Sequence, residues 1–445
     1  MARMSLEREI ARRRVAPAEA AARVRAVDTL AVGLGPCQPP LLLRALGERD
    51  DFEKLVVFGA LLTGLYKLFT RRGVTLLSGF YGPVERGLRG AGHDVRFVAA
   101  DFRRFGHFAR QLSPRVMSTL AAPPDAQGRL SLALHAGATV DELHRCGRDP
   151  DRLLIVEMNA KLPRTLGLPP EHSHSLALDE VDLLIESDED PFYLPDHPPN
   201  DIERAIAGHV APFIPEGATL QTGIGGIPNE IVEVLAEGAG GDYGIHTEMF
   251  TNGLMHLHRM GKVTNQKGIY DGFSACTFAA GTRELYDWLD GNEAVRFLPV
   301  DRINEPHIIA RNRRMISING ALSVDLAGQV AADTIGGRQY SGIGGHEDFV
   351  HGAAFSDGGR SLVCLPSTAR VRSDGGERIV TRIAPAFRDG ELVTTPRHQV
   401  DVIVTEFGAA ELAGATDEER AERLIAIAHP DFRDALRAEA AKQPR

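Results

Sequence analysis

Four glutamates in this chain close short apolar runs: Glu157 in IVEMN, Glu186 in LLIES, Glu248 in GIHTEMF and Glu406 in VTEFG. A carboxylate in such a place is a solvated strand end, a charge at a helix terminus, or a nucleophile. With an unperturbed pKa near about 4.3 it is ionised at neutral pH and needs no partner base. Its natural targets are activated acyl groups such as thioesters. Glu248 stands just before TNGLMHLHRMGK, which reads as a helix whose positive end favours an anion. Position alone leaves the four glutamates competing.

Other chemistries find less support. His256 and His258 are two residues apart, so a helix points them to different faces, unlike a zinc pair. Cys37, Cys146, Cys276 and Cys364 are scattered, with no metal-ligand spacing and no nucleophile signature. The sequence therefore implies no metal and no disulfide scaffold, and reduced thiols suggest a cytoplasmic protein.

Attack on a thioester generates an oxyanion, which needs donors. In QTGIGGIPNE, Gly223, Gly225 and Gly226 precede Pro228, and a glycine-rich turn entering a helix exposes backbone N–H groups. A tight structural turn is the alternative. The spacing lacks the last glycine of the dinucleotide fingerprint. YSGIGGHEDF repeats the theme at Gly342, Gly344 and Gly345. Arg360 beyond it either meets an anionic group with its planar fork or lies on the surface.

These residues need a scaffold. TLAVGLG at 29–35 recurs as TLQTGIG at 219–225, an offset of 190. Each copy follows a helical stretch and leads through proline into another helix, so helix, strand, glycine loop and helix occur once per half. Between them lies PFYLPDHPPN, with four prolines in ten residues, which reads as a linker. Apolar runs such as LVVFG, VTLLSG, VRFVAA, LLIVEM, RMISI, SLVCLP and DVIVTE alternate with helix candidates. That pattern predicts parallel sheets covered on both faces, in two α/β domains. Thr416 to Glu419 reads as a capping box opening a helix that Pro430 stops.

The bulk numbers agree with a globular protein of ordinary composition: 445 residues, 43% apolar and 25% charged. A net charge of −10 argues against nucleic acid as the main partner. No apolar run reaches membrane-spanning length. The arginine-rich first residues carry glutamates and no apolar core, so they read as an amphipathic helix rather than a secretory signal.

Taken in order, ATLQTGIGGIPNEIV, GIHTEMFTNG, LYDWLD, PVDRINEP, ISINGALSVDLAGQVAADTIGGRQYSGIGGHEDF, CLPSTA, IVTEFG and AIAHPDFR resemble the acetyl-CoA hydrolase/transferase family. The likeness is greatest to its 4-hydroxybutyrate and butyryl-CoA:acetate CoA-transferases. It is dense from Ala218 to Arg433 and thinner before. The resemblance implies two similar CoA-transferase-type α/β domains, residues 1–195 and 196–445, with mainly parallel sheets and the active site at their interface. It selects Glu248 as the catalytic residue. It places Gly223, Ile224, Gly225, Gly226, Ile227, Gly342, Gly344 and Gly345 against coenzyme A, with Arg360 where relatives often carry lysine. It further implies a double displacement through a glutamyl-CoA thioester, acyl-CoA and short-chain carboxylates as substrates, no tightly bound cofactor, and a homodimer or higher homo-oligomer. An acetyl-CoA hydrolase, a non-catalytic acyl-CoA-binding protein and, more distantly, a nucleotide-dependent oxidoreductase are the alternatives. The chain leaves the family pattern at Asn252, where TNG replaces SDG, at His346 and Glu347, where HEDF replaces QVDF, and where APPD replaces SPPD. The first two lie beside catalytic or CoA-contacting segments, so the resemblance does not name the acyl group.

Overall fold

The computed structural model describes residues 2–135, 137–373 and 376–442. The chain forms two compact units. One comprises Met1–Pro195 and Ala275–Ile303, the other Asp196–Ser274 and Asn304–Arg445. The chain passes between them inside the proline-rich run. Residues 275–303, which the sequence reading placed with the second half, pack with the first unit.

The first unit is built on seven strands: β1 (Val27–Val32), β2 (Lys54–Gly59), β3 (Val74–Ser78), β4 (Val95–Phe97), β5 (Val116–Ala121), β6 (Leu153–Asn159) and β7 (Leu183–Ser187). They lie in the order β4-β3-β2-β1-β5-β6-β7, every pair parallel. Successive strand residues point to opposite faces. Accordingly Leu30, Val32, Val57, Val116 and Ile155 join one apolar core, while Ala31, Phe58, Met117, Leu154 and Val156 join another. Both faces are covered, which is why these strands read as continuous apolar runs. β5 was not anticipated. Its sequence VMSTLA is buried throughout, but Ser118 and Thr119 break the apolar signal.

The second unit holds β8 (Thr219–Thr222), β9 (Gly244–Ile245), β10 (Met315–Gly320), β11 (Arg360–Cys364), β12 (Val402–Thr405) and β13 (Gly408–Glu411). The order is β9-β8-β10-β11-β12-β13, parallel except for the closing hairpin. Strand order reverses between β1 and β5 in the first sheet and between β8 and β10 in the second. In open α/β sheets the crevice beyond the carboxyl ends at such a reversal is where ligands bind.

The repeated motif is real structure. α1 (Pro17–Ala22), β1, a glycine turn and α2 (Pro40–Gly47) are matched by α3 (Asp201–Val210), β8, a glycine turn and α4 (Gly226–Glu237). The copies differ at the second helix. The first-turn N–H groups of Leu41 and Leu42 in α2 donate to Glu157. At the start of α4 the N-cap Gly225 has no side chain of its own to cap with, and the Glu203 carboxylate of α3 lies against Gly226. At the chain's far end Thr416 and Glu419 form the expected capping box. Pro430 ends that stretch and then opens a further helix, Pro430–Ala440, because proline suits a first helical turn.

Candidate active site

Glu248 sits on a bend just beyond β9, at the carboxyl edge of the second sheet. Its neighbour Thr247 donates from Oγ1 to the Met249 carbonyl (3.1 Å) and reaches the Thr222 carbonyl at the end of β8 (3.4 Å). Gln221 pins that strand end in turn: its Oε1 accepts from Ser317 Oγ (2.9 Å) and the Ile318 N–H (3.2 Å) of β10. The bend carrying Glu248 is thereby fixed to the strand that launches the glycine loop.

Two donors meet the Glu248 carboxylate. Asn304 Nδ2 lies 2.7 Å from Oε2, and the Gly345 N–H donates to the same group. Gly345 immediately precedes α6 (His346–Phe355), after α5 (Asn252–Arg259). The helix end that touches Glu248 is therefore that of α6, not of the helix following it in sequence. A Cβ on Gly345 would lie 2.2 Å from Glu248 Oε2 and 2.4 Å from Asn304 Nδ2. Glycine stands here for space rather than for backbone conformation. Asn304 is fully buried, and its Nδ2 also lies 3.2 Å from Asp348 Oδ2.

Burial raises the Glu248 pKa to about 7, while the Asn304 and Gly345 donors pull it down. The sequence led us to expect a fully ionised group at neutral pH. The fold instead withdraws the carboxyl partly from water, Glu248 keeping intermediate exposure, and leaves it balanced between its two forms.

The same accounting disposes of the competitors. Glu157 is fully buried and its pKa also rises to about 7 through burial, but its carboxylate is committed to the first turn of α2. Glu186 pairs with Arg14 (2.8 Å), with 46% of its side chain exposed. Glu406 clamps the Ser367 N–H (2.8 Å) and Oγ (2.7 Å). Glu248 has donors of both kinds, as Glu157 does, but unlike Glu157 it keeps intermediate exposure, which a group that must meet a substrate needs.

The glycine loop leaving β8 is open. Gly225 has φ +115° and ψ 178°, a conformation that only glycine adopts readily. Ile224 is 55% exposed, Gly223 faces open space, and Gly226 and Ile227 are the first residues of α4. Gly342, Gly344 and Gly345 lead into α6 and end against Glu248. Arg360 does not join them. It opens β11, at the amino end of the strand, and engages Asp401 (2.7 and 3.1 Å) and Glu411 (2.8 Å). Its Nε and Nη2 are thus held by acids at the approach to β12 and in β13.

The departures from the family pattern also acquire places. Asn252 Nδ2 donates to Asp196 Oδ2 (2.7 Å), whose other oxygen accepts from Asn229 (2.8 Å), so TNG helps hold the start of the second unit. His346 and Glu347 are buried rather than solvent-facing, and both bond Thr395 Oγ1. Burial holds the His346 pKa down at about 4, so the ring is neutral. His256 turns to Glu233 (3.6 Å) and His258 to Ser274 (2.8 Å). Among the described residues no cluster of histidine, cysteine and carboxylates could hold a metal, and no helix is long and apolar enough to cross a membrane.

Sequence reasoning missed Asn304 and Asp348. Both lie in runs that carry the family likeness, PVDRINEP and HEDF, yet nothing local marks them as partners of a residue 44 or more positions away. Asp348 in the first turn of a helix reads as an ordinary dipole charge.

A partly desolvated carboxylate, an amide donor and an open glycine turn at a sheet's reversal point equip this site for nucleophilic acyl transfer. Comparison with known proteins agrees. Residues 281–440 match the model of the acetyl-CoA hydrolase/transferase C-terminal domain. The chain is 35% identical to the succinyl-CoA:cyclohexane-1-carboxylate CoA transferase of Geobacter metallireducens, over 99% of this chain and 98% of that one. It is 40% identical to the 4-hydroxybutyrate coenzyme A transferase of Clostridium kluyveri over 66% of this chain and 65% of that protein. Its fold matches the crystal structure of RipA from Yersinia pestis with a TM-score of 0.88 at 34% identity, covering 98% and 99% of the two chains. The chain belongs to the acetyl-CoA hydrolase/transferase family, and it is an enzyme of the CoA-transferase kind.

Proposed function

We propose that the protein moves coenzyme A between short-chain carboxylates, of the acetate, butyrate or 4-hydroxybutyrate type, with Glu248 as the nucleophile. The observation that carries this reading is the Glu248 carboxylate held between Asn304 Nδ2 and the Gly345 N–H. A Glu248 oxygen attacks the thioester carbonyl of an acyl-CoA. The C–S bond breaks, CoA thiolate leaves, and an acyl-glutamyl anhydride remains. The thiolate then attacks the Glu248 carbonyl carbon, the C–O bond to the acyl group breaks, and the first carboxylate departs, leaving a glutamyl-CoA thioester. A second carboxylate runs both steps in reverse. The N–H groups of the loops at Gly223 to Ile227 and Gly342 to Gly345 hold the successive oxyanions and the CoA chain. Proton transfer is not required at any step once Glu248 is ionised.

Relatives of matching substrate class support the reading: one is named a butyryl-CoA:acetate CoA-transferase, in Anaerostipes caccae, at 40% identity over 65% of this chain. Hydrolase activity is the second reading, since relatives at 26–27% identity are named acetyl-CoA hydrolase. Incubation with acetyl-CoA and a panel of carboxylates separates them. Exchange of the acyl partner without net release of CoA is the expected result; CoA release independent of added carboxylate overturns the transferase reading. Borohydride reduction after mixing with acyl-CoA should modify Glu248, as read by mass spectrometry.

A further inference from the structure

The amide of Asn304 has two N–H bonds, and both are directed at carboxylates: Glu248 Oε2 at 2.7 Å and Asp348 Oδ2 at 3.2 Å. Turning the amide over would aim its oxygen at both acids at once. Asn304 Oδ1 meanwhile is buried with no hydrogen-bond partner. A fully buried amide with an orphaned oxygen is held in place by what its nitrogen does. Of the two acceptors, Glu248 is the one that reaction consumes. In the anhydride and the thioester its carboxylate charge is gone, and its pull on the amide weakens, because a neutral carbonyl accepts less strongly than a carboxylate. Asp348 undergoes no such change. It is 1% exposed and sits in the first turn of α6. The Gly345 N–H, which an acid at that helical position would engage in a capping box, donates to Glu248 instead.

Resting on the transferase reading above, we propose that Asp348 is a positioning residue. Through Asn304 it keeps an N–H aimed at Glu248 while that carboxyl passes through its uncharged, acylated forms.

The test is a double-mutant cycle on the full chain, with Asp348→Ala, Asn304→Ala and the pair, measured in acyl exchange between acetyl-CoA and an active carboxylate. Asp348→Ala should lower kcat about tenfold or more with the KM for acyl-CoA within twofold, as for removal of a group acting on the reacting state. In the Asn304→Ala background the same change should cost less than twofold, because its route to Glu248 is already cut. Asp348→Asn, which keeps an acceptor oxygen and the side-chain shape, should recover most of the lost kcat. Multiplicative losses in the double variant, or an Asp348→Asn variant as impaired as Asp348→Ala, overturn the proposal. Melting temperatures of all variants separate a folding defect from a positioning one, and the Asp348→Asn rescue remains readable if Asp348→Ala does not fold. An unsubstituted protein without exchange activity would instead reject the transferase reading itself.

Discussion

Asn304 Nδ2 stands 2.7 Å from Glu248 Oε2, and the missing side chain of Gly345 is what lets the two meet. The nucleophile is thus gripped from a segment distant in sequence, in a space that one methyl group would fill. Several measurable consequences arise from that grip and from the burial around it.

The first concerns pH. The nucleophile is the ionised form, and burial places the pKa of Glu248 at about 7. The kcat/KM for acyl-CoA, which reports the free enzyme, should fall about tenfold per pH unit below that value and level off above it. A profile from pH 5 to 9 that stays flat in its acidic half would show that the carboxyl is not desolvated as described.

The second concerns stability. A carboxyl whose folded pKa lies above its ordinary value of 4.5 stabilises the fold when protonated, and that contribution is lost as pH rises through about 7. Glu248→Gln removes the charge that is unwelcome there. It should abolish exchange and raise the melting temperature at pH 8, with the gain disappearing by pH 4. Equal melting temperatures at both pH values would contradict this.

Gly345→Ala supplies the third. Its Cβ would collide with Glu248 Oε2 and Asn304 Nδ2, so one of them must move. Displacement of a reacting group by about 1 Å can cost about a hundredfold in rate. Steady-state kinetics should show that loss mainly in kcat, with a circular dichroism spectrum like that of the parent.

Arg360 gives the fourth, and it runs against the family analogy. Its fork is occupied by Asp401 and Glu411 at the amino end of β11. Arg360→Ala should leave the KM for acyl-CoA within twofold and cost about 1 kcal/mol of stability or less, as partly exposed ion pairs do. A tenfold rise in KM would restore the arginine to the CoA site.

Much of this was legible in the sequence, and the rest was hidden for physical reasons. Runs such as LLIVEM and SLVCLP announced themselves because both faces of a parallel strand are buried. VMSTLA did not, since its buried Ser118 and Thr119 look like surface residues until their neighbours are known. The glycine-loop repeat was readable because φ +115° at Gly225 demands glycine, whatever lies around it. Gly345 looked similar in sequence but is glycine for a different reason, the approach of two side chains that only folding brings near. Residue patterns also could not rank Glu248 above Glu157. Both close apolar strands, and burial raises the pKa of both. Their partners and exposure differ, and partners 56 or 115 residues away leave no local trace.

Glu157 has a consequence of its own. The duplicated motif offers a helix start twice, and the chain answers the first offer from within, seating its own carboxylate on Leu41 and Leu42. In the second copy the acid at the matching helix start is a local one: Glu203 of α3 sets its carboxylate against Gly226, where an added Cβ would fall 2.1 Å from its Oε1.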